Sequence, residues 1–341
     1  MDREGAPDAR RGGRGGLTPL ERALRERILA EGPISVEAYI EACNSYYYAT
    51  RDPLGATGDF TTAPEISQMF GELIGAALAD CWRRAGSPKE TLYVELGPGR
   101  GTLAADALRV MRQAGLEPGV HFVEASPVLR AEQARNVPVA HWHDSIGEVP
   151  HAPLLVAANE FLDALPIRQF VVGIERRVDV VGGGLAFDRD GDVTEDSPAR
   201  EAVVTELVRR LARDGGAALI VDYGHSRSAP GDTLQAVRGH KFAHVLQRPG
   251  DQDLTAHVDF EAVSNAARAA GAQVTRVIAQ GDWLERLGIR ARAEALAKAH
   301  PDRAEEIETA RRRLCDSGEM GLLFKVIAIH SPEWAAPAGF E

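Results

Sequence analysis

A chain of 341 residues, 44% of them hydrophobic, is long enough to bury one large core or two smaller ones. Its formal net charge of −11 and its lack of a large basic run argue against a general nucleic-acid-binding protein. No apolar run reaches transmembrane length, so we expect no membrane insertion. The three cysteines lie far apart without CxxC spacing, which predicts reduced thiols in a cytosol-like compartment.

The first part of the chain is predicted to be a tail followed by helices. Residues 1–16 are rich in glycine and charge, which predicts a disordered tail, and they show no amphipathic stripe typical of an organelle address. Thr18 and Pro19 are suited to the start of a helix. We expect residues 17–88 to form a helical cap that contributes to the active site. Glu65 and Gln68 could face a substrate there, and simple exposure to solvent is the alternative.

Residues 91–101, TLYVELGPGRG, predict a strand, a tight glycine turn and then a helix from Thr102. Such a junction places a nucleotide-like ligand against bare backbone at a helix N-terminus. The glycines expected to hold this ligand are Gly97, Gly99 and Gly101.

The residues around these glycines indicate which ligand the turn would bind. A dinucleotide-binding fingerprint would need glycine at position 102, where this chain has threonine. Glu95 lies just before the glycines, where a carboxylate would repel a pyrophosphate and attract an ammonium group. S-adenosylmethionine (SAM) has no phosphate and a cationic amino-sulfonium end. The pattern therefore favours SAM as the cofactor.

A second acid, Glu124, follows the next apolar strand and is predicted to accept the ribose hydroxyls, with Ala125 and Ser126 beside it. Its alternative is an ordinary turn acid. Asp144 and Ser145 follow a short strand predicted near 137–140 and could meet the adenine amino group, although a plain loop explains them equally well.

Strands and helices alternate over residues 89–330, which predicts an α/β fold with a mostly parallel sheet covered by helices on both faces. Two segments interrupt this alternation. Residues 166–198 are predicted to form a β-hairpin insertion, and residues 281–319 a helical insertion placed to act as a lid, with packing support as the alternative. Residues 331–341 are a short tail. The predicted strands are 91–96, 120–124, 137–140, 154–158, 217–222, 273–278 and 321–329.

The catalytic candidates follow the strand in LLVAANEFLDALP, where Asn159 and Glu160 stand at its carboxyl end. Ligands of open α/β sheets bind outside this end of the strands. Asp163 is predicted to lie one helical turn later on the same face as Glu160, and the alternative is a helix-capping segment. Asp222 and Tyr223, which end the next strand, would lie beside this site.

Other chemistry has weaker support. His257 in DLTAHVDF is expected to order a loop near the substrate or to pack beneath it. The spacing of the histidines matches no usual ligand pattern, so we expect no metal site. No G-x-S-x-G elbow is present, and a serine hydrolase is therefore not supported.

Five motifs occur in this order: GDFTTAPEISQMFGE, ELGPGRG, NEFLDALP, LIVDYGH and DLTAHVDF. Together they resemble the MidA-like family of SAM-dependent methyltransferases, over about residues 17–329. The resemblance implies the class I, Rossmann-like methyltransferase fold, SAM as cofactor and S-adenosylhomocysteine as product. It also implies that the glycines, Glu95 and Glu124 bind SAM, and that residues 58–68 and the Asn159–Glu160 pair border the site.

The mitochondrial members of that family are arginine methyltransferases that assist assembly of respiratory complex I. The resemblance therefore implies a protein arginine N-methyltransferase, for which Glu160 and Asp163, and less strongly Glu65, would hold the guanidinium. A small-molecule O- or N-methyltransferase and a SAM-binding assembly factor are the alternatives. We expect a bacterial-type cytoplasmic protein, or a mitochondrial matrix protein only if the chain is eukaryotic. The sequence leaves the acceptor and the oligomeric state open.

Overall fold

The computed structural model describes residues 16–50, 62–239 and 241–341. Its helices are α1 Pro19–Glu31, α2 Val36–Thr50, α3 Ala63–Ile66, α4 Gln68–Arg84, α5 Thr102–Gln113, α6 Pro127–Asn136, α7 Pro198–Asp214, α8 Phe260–Ala269, α9 Gln280–Arg286, α10 Ile289–Ala299, α11 Ala304–Cys315 and α12 Met320–Leu323. Short 3₁₀ helices cover Ile146–Glu148 and Pro301–Arg303.

The strands are β1 Ile34–Ser35, β2 Leu92–Leu96, β3 Gly119–Val123, β4 His141–His143, β5 Leu154–Asn159, β6 Arg168–Val171, β7 Ile174–Glu175, β8 Arg177–Val181, β9 Gly184–Phe187, β10 Val193–Asp196, β11 Gly216–His225, β12 Gln235–Arg238, β13 Lys241–Ala243, β14 Asp253–Thr255, β15 Val258–Asp259, β16 Gln273–Val274, β17 Ile278–Ala279 and β18 Phe324–His330.

A nine-stranded sheet in the order β16-β18-β11-β5-β2-β3-β4 organises the molecule, with β15 and β17 paired to β11 and β18. Strands β11, β5, β2, β3 and β4 run parallel, and β18 runs antiparallel to β11. The predicted α/β class with a mostly parallel sheet is confirmed.

Successive residues of the central strands are buried against opposite faces. On β5, Leu155 and Ala157 join a core with α4 and α5, whereas Leu154, Val156 and Ala158 join a second core with α7 and α8. A strand covered on both faces has no solvated side, which explains why these segments read as continuous apolar runs rather than as alternating patterns.

Helices α4 and α5 pack with almost no space between them. A Cβ added at Gly75 would lie 2.6 Å from the Cα of Ala107, and one at Gly71 would lie 2.8 Å from the Cβ of Asp106. This contact fixes α4, and the short helix α3 before it, against the helix that follows the glycine turn.

The N-terminal helices pack against two small sheets outside the main sheet. A third core joins α1 and α2 to strands of the sheets β1-β8-β9 and β13-β12-β14. Residues 166–198 therefore contain more than the single predicted hairpin, because β10 returns to β6 and β8 pairs with β1 from the start of the chain. Pairing between segments so distant in sequence leaves no local signal.

Other predicted elements shift at their ends. The strand expected at 137–140 lies at His141–His143, the one at 273–278 is split into β16 and β17, and the last begins at Phe324. Residues 281–319 contain most of α9 and all of α10 and α11, and Trp283, Leu284 and Leu314 are buried in the core. The lid role of this segment stays a prediction. Among the residues that the structure describes, no helix combines the length and apolar character needed to cross a membrane.

Candidate active site

A cavity of about 520 Å³ opens at the carboxyl ends of β2, β3 and β5, beneath α2 and α3. Its size is that of a pocket for a small-molecule ligand. The cavity brings together most of the residues that the sequence singles out. These are Glu65, Glu95, Gly97, Gly99, Glu124, Ala125, Ser126, Asp144, Asn159, Glu160 and Asp163.

The turn between β2 and α5 is built on glycines in left-handed conformations. The φ angles of Gly97, Gly99 and Gly101 are 62°, 55° and 81°. A Cβ at Gly97 would lie 2.8 Å from the ring of Phe161, so a side chain there would also meet a neighbour. Gly101 precedes α5 without lining the cavity, and its N–H donates to the carbonyl of Pro98 at 2.7 Å. The turn exposes backbone to the cavity at the start of a helix.

Glu95 stands at the carboxyl end of β2, and its side chain is almost fully buried. The hydroxyl of Tyr93 donates to its Oε2 at 2.6 Å. Burial raises the pKa of Glu95 to about 8, and the Tyr93 hydrogen bond opposes that rise. A cation at this position would restore the ionised form of the carboxylate, since an opposite charge favours it.

Glu124, after β3, is held by a network that reaches the glycine turn. Its Oε1 accepts from the N–H of Ser126 at 2.8 Å, and its Oε2 accepts from Nε2 of Gln133 at 3.1 Å. The same Nε2 donates to the carbonyl of Gly99 at 2.7 Å, while the Trp142 indole donates to the Gln133 Oε1 at 2.8 Å. Burial raises the pKa of Glu124. Sequence reasoning missed Gln133, which is fully buried and orients both ligand-facing segments.

The two residues predicted to meet the adenine amino group differ in their position relative to the cavity. Asp144 lines the cavity, and Oδ1 of this exposed carboxylate pairs with Arg130 at 2.5 Å. Ser145 does not appear in the described lining; it precedes the 3₁₀ helix without a side-chain capping bond.

Asn159 and Glu160 meet the cavity at the end of β5. Oε1 of Glu160 accepts from the backbone N–H of Ala63 at 3.2 Å and from Nδ2 of Asn159 at 3.1 Å. Burial, followed by the nearby charge of Asp163, raises the pKa of Glu160 to about 8. Oδ1 of Asn159 is buried without a hydrogen-bond partner among the described residues. An orphaned acceptor in a cavity wall suits a ligand that carries N–H donors.

The helix predicted after Asn159 is wrong. Residues 160–166 form a turn, in which Glu160 has a φ of 50°, a left-handed conformation that is uncommon for a side chain of this size. Asp222 stabilises the turn because its Oδ2 accepts from the N–H groups of Leu162 at 2.9 Å and Asp163 at 3.2 Å. Asp163 therefore lies beside Glu160 because hydrogen bonds hold this turn, and not because the two residues are one helical turn apart.

Arg200 holds the same turn from behind the sheet. This buried guanidinium donates to the backbone carbonyls of Leu162 and Ala256 at 2.7 and 2.8 Å. Its charge opposes the burial that raises the pKa of Asp163. Oδ1 of Asp163 is buried and lacks a hydrogen-bond partner within the described part of the chain.

Four residues predicted to lie at or near the substrate site are outside the described lining of the cavity: Asp222, Tyr223, His257 and Gln68. Asp222 is fully buried behind the turn, and the Tyr223 ring packs edge-on against His257. His257 lines a separate cavity of about 70 Å³. The Gln68 amide donates to Oε1 of Glu72 at 3.0 Å.

By contrast, Glu65 does face the cavity, where its Oε1 accepts from the Thr102 hydroxyl at 2.5 Å. This hydrogen bond ties α3 to the start of α5. Residues of α2 and α3 thus form part of the cavity wall. Their contribution to the active site stays a prediction.

Two further cavity residues were not predicted. Asp253 on β14 lines the wall, and Tyr48 on α2 donates its hydroxyl to Oδ1 of Asp253 at 2.9 Å. Asp253 begins the motif DLTAHVDF, in which the sequence analysis singles out only His257 as a site residue. No local pattern marks Tyr48 as a cavity residue, because α2 and β14 are distant in sequence. The described lining contains eight carboxyl groups and a single guanidinium, that of Arg100. A cationic ligand would favour the ionised form of the carboxyl groups whose pKa burial raises, so the cavity is suited to cationic ligands.

The chain is similar to known proteins over nearly its whole length. Residues 73–182 and 174–278 match the family model described as "Putative S-adenosyl-L-methionine-dependent methyltransferase". The sequence is 36% identical to the protein named "Protein arginine methyltransferase NDUFAF7 homolog, mitochondrial" from Drosophila melanogaster, over 95% of this chain and 87% of that protein. The protein named "Protein arginine methyltransferase NDUFAF7, mitochondrial" from Homo sapiens is 33% identical, over 92% of this chain and 83% of the relative. This chain belongs to the MidA-like family of SAM-dependent methyltransferases.

A solved relative carries the cofactor product. The crystal structure of a COG1565 superfamily member from Burkholderia thailandensis, bound to S-adenosyl-homocysteine, superposes with a TM-score of 0.81 at 28% identity, covering 93% of each chain. The MidA-like protein described here accordingly has the class I methyltransferase fold, and its cofactor is SAM. The residues of its cavity fit that cofactor: bare glycine backbone, the buried Glu95 carboxylate and the unpartnered Oδ1 of Asn159.

Proposed function

We propose that this MidA-like methyltransferase transfers methyl groups to the guanidinium of a protein arginine. The main supporting observation is the composition of the cavity wall, which has eight carboxyl groups and one guanidinium among the described lining residues. Burial raises the pKa of two of these carboxyl groups, Glu95 and Glu160, to about 8, and the positive charge of an arginine would favour their ionised form. The relatives named above as protein arginine methyltransferases support the same acceptor.

In this proposal the glycine turn and two carboxylates hold the cofactor. Glu95 binds the amino group of SAM, Glu124 accepts the ribose hydroxyls, and Gly97 and Gly99 allow close backbone approach. Ala125 and Ser126 border the ribose, and Asp144 lies where it can meet the adenine amino group. Bound SAM supplies an electrophilic methyl on a sulfonium, so the chain must chiefly align the acceptor with it.

The acceptor end of the cavity is assigned to Asn159, Glu160 and Asp163. An arginine guanidinium stays protonated at neutral pH, with a pKa above about 12, and methylation releases one proton overall. Carboxylates can hold the guanidinium by bidentate hydrogen bonds and take that proton. Glu160 is the proposed base because its raised pKa, about 8, is close to the working pH, which is the condition for efficient proton transfer. Glu65 and Asp253 add negative charge to the wall.

The relatives from Drosophila melanogaster and Homo sapiens are both named as mitochondrial proteins. For this chain we propose the cytoplasm if it is bacterial and the mitochondrial matrix if it is eukaryotic.

Incubation of the purified protein with methyl-tritiated SAM and a cell extract tests the acceptor. We expect label in a protein band, and methylarginine after hydrolysis of that band. Label in an extractable small molecule would favour a small-molecule methyltransferase instead. Tight binding of SAM without transferred label would favour an assembly factor.

A further inference from the structure

The small sheet β13-β12-β14 presents a row of side chains toward the cavity mouth. The register pairs Phe242 with Val237 across β13 and β12, and Val237 with Asp253 across β12 and β14. Directly paired residues of neighbouring strands project from the same face of a sheet. Val237 and Asp253 both line the cavity, so Phe242 stands on the cavity side as the outer end of the row.

The opposite face of this sheet is already covered. Ala236 and Leu254 are buried in the core that includes α1 and α2, and Ala243 packs against that core. Phe242, in contrast, is 80% exposed. One face of the hairpin therefore packs against the core. On the other face an aromatic ring is exposed to solvent beside an acidic cavity. Large aromatic side chains supply much of the binding energy at protein interfaces.

We infer that the Phe242–Val237–Asp253 row is the docking surface for the substrate polypeptide on either side of the arginine. This inference rests on the proposed function. Charge complementarity selects the occupant, because the row leads from an apolar ring to Asp253 and a wall rich in carboxylates. Neighbouring strands lie about 4.8 Å apart, so the row spans about 10 Å, or three residues of extended chain. Phe242 would contact an apolar residue within about three positions of the arginine.

The tip of the same hairpin marks the end of the row. Arg238 pairs with Lys241 there, both side chains are exposed, and alternation along the strands places them on the face opposite to Phe242. The row itself therefore offers an apolar ring and a carboxyl group. The surface fits a single arginine with apolar neighbours rather than an arginine-and-glycine repeat, which has no apolar side chain for Phe242.

Binding of short fluorescent peptides to the protein saturated with S-adenosylhomocysteine tests this inference without requiring turnover. The probes carry a single arginine flanked by leucines, the same arginine flanked by serines, or arginine-glycine repeats. We expect fluorescence anisotropy to show about tenfold tighter binding of the leucine-flanked peptide than of the other two. Phe242→Ser should abolish that preference. Leu29→Ser, at an α1 side chain that is 74% exposed, is the matched control and should preserve it.

The other outcomes distinguish a failure of the docking surface from a failure of the proposed arginine transfer. Equal binding of the three peptides, binding of none, or an unchanged preference in Phe242→Ser would overturn the docking surface. Phe242-dependent binding of a leucine-flanked peptide that receives no methyl group from SAM would leave the surface intact and overturn the arginine transfer.

Discussion

Glu160 is the residue on which the proposed chemistry depends most. Its carboxylate is oriented by Asn159 and by the N–H of Ala63, at the junction of β5 and the N-terminal helices. Glu160→Gln keeps the shape and removes the base, so we expect unchanged affinity for S-adenosylhomocysteine and a kcat about 10²- to 10⁴-fold lower. Calorimetry and a methyl-transfer assay measure the two quantities.

Glu41, an exposed carboxylate at the cavity rim, provides the matched control. Glu41→Gln should leave both quantities nearly unchanged. Full turnover in Glu160→Gln would remove this residue from the mechanism.

Cofactor binding is expected to release a proton from Glu95. In the protein alone its raised pKa, about 8, keeps the carboxyl mostly protonated at pH 7. The ammonium group of the ligand favours the ionised form and lowers that pKa, so affinity should increase as the pH is raised from 6 to 8. Calorimetry of S-adenosylhomocysteine in two buffers of different ionisation enthalpy measures the released proton. Glu95→Gln should diminish the release, and proton uptake by the wild-type protein would contradict the assignment.

Gln133 is a positioning residue whose effect should reach the cofactor. Gln133→Glu places a carboxylate against Oε2 of Glu124 and the carbonyl of Gly99, where an amide now donates. Repulsion in this buried position should cost about 2–3 kcal/mol, which weakens cofactor affinity roughly 30- to 150-fold. The KM for SAM should rise far more than kcat falls.

Asn136 offers a control of the same chemistry, since its exposed amide donates to the carbonyl of Arg100 at 2.8 Å. Asn136→Asp should have a much smaller effect because solvent screens the new charge. Equal effects of the two substitutions would mean that burial of Gln133 is not what matters.

At the scale of elements, the contact between α4 and α5 supports the cavity from below. Gly75→Ala would place a methyl group 2.6 Å from the Cα of Ala107, and overpacking of this kind costs about 1–3 kcal/mol. We expect a thermal midpoint lower by at least about 2 °C. Gly318→Ala is the control, because a Cβ there meets nothing within 4 Å, and an equal loss in both variants would contradict the packing argument.

The elements that sequence could predict are those with local signals. The glycine turn needs left-handed residues at fixed positions, and the parallel strands need apolar side chains on both faces, so each leaves its pattern in a single segment. The turn at 160–166 was mistaken for a helix because its stabilisers, Asp222 and Arg200, come from other segments. Likewise, α3 and α4 are separate helices because Ser67, with extended backbone, lies between them.

For the molecule as a whole, the described cavity is lined by most of the residues predicted to bind the cofactor and by few of those predicted to bind the substrate. Glu95 and Glu124 stand at the carboxyl ends of consecutive strands. One strand–turn–helix unit separates them in sequence, and this unit places both residues near the glycines. Three other residues reach the cavity only because the N-terminal helices share a core with the two small sheets: Asp253, Tyr48 and Val237. That assembly depends on long-range pairing, for which a single sequence shows no period or motif.

The central claim is that the turn after the first sheet strand holds a cationic methyl donor between Glu95 and Glu124. Calorimetric titration of the purified protein with S-adenosylhomocysteine tests it most directly, with NAD as the competing nucleotide. We predict saturable heat with S-adenosylhomocysteine, strong weakening in Glu95→Ala and in Glu124→Ala, and no heat with NAD. Saturable binding of NAD without binding of S-adenosylhomocysteine, or full affinity in both variants, would contradict the account.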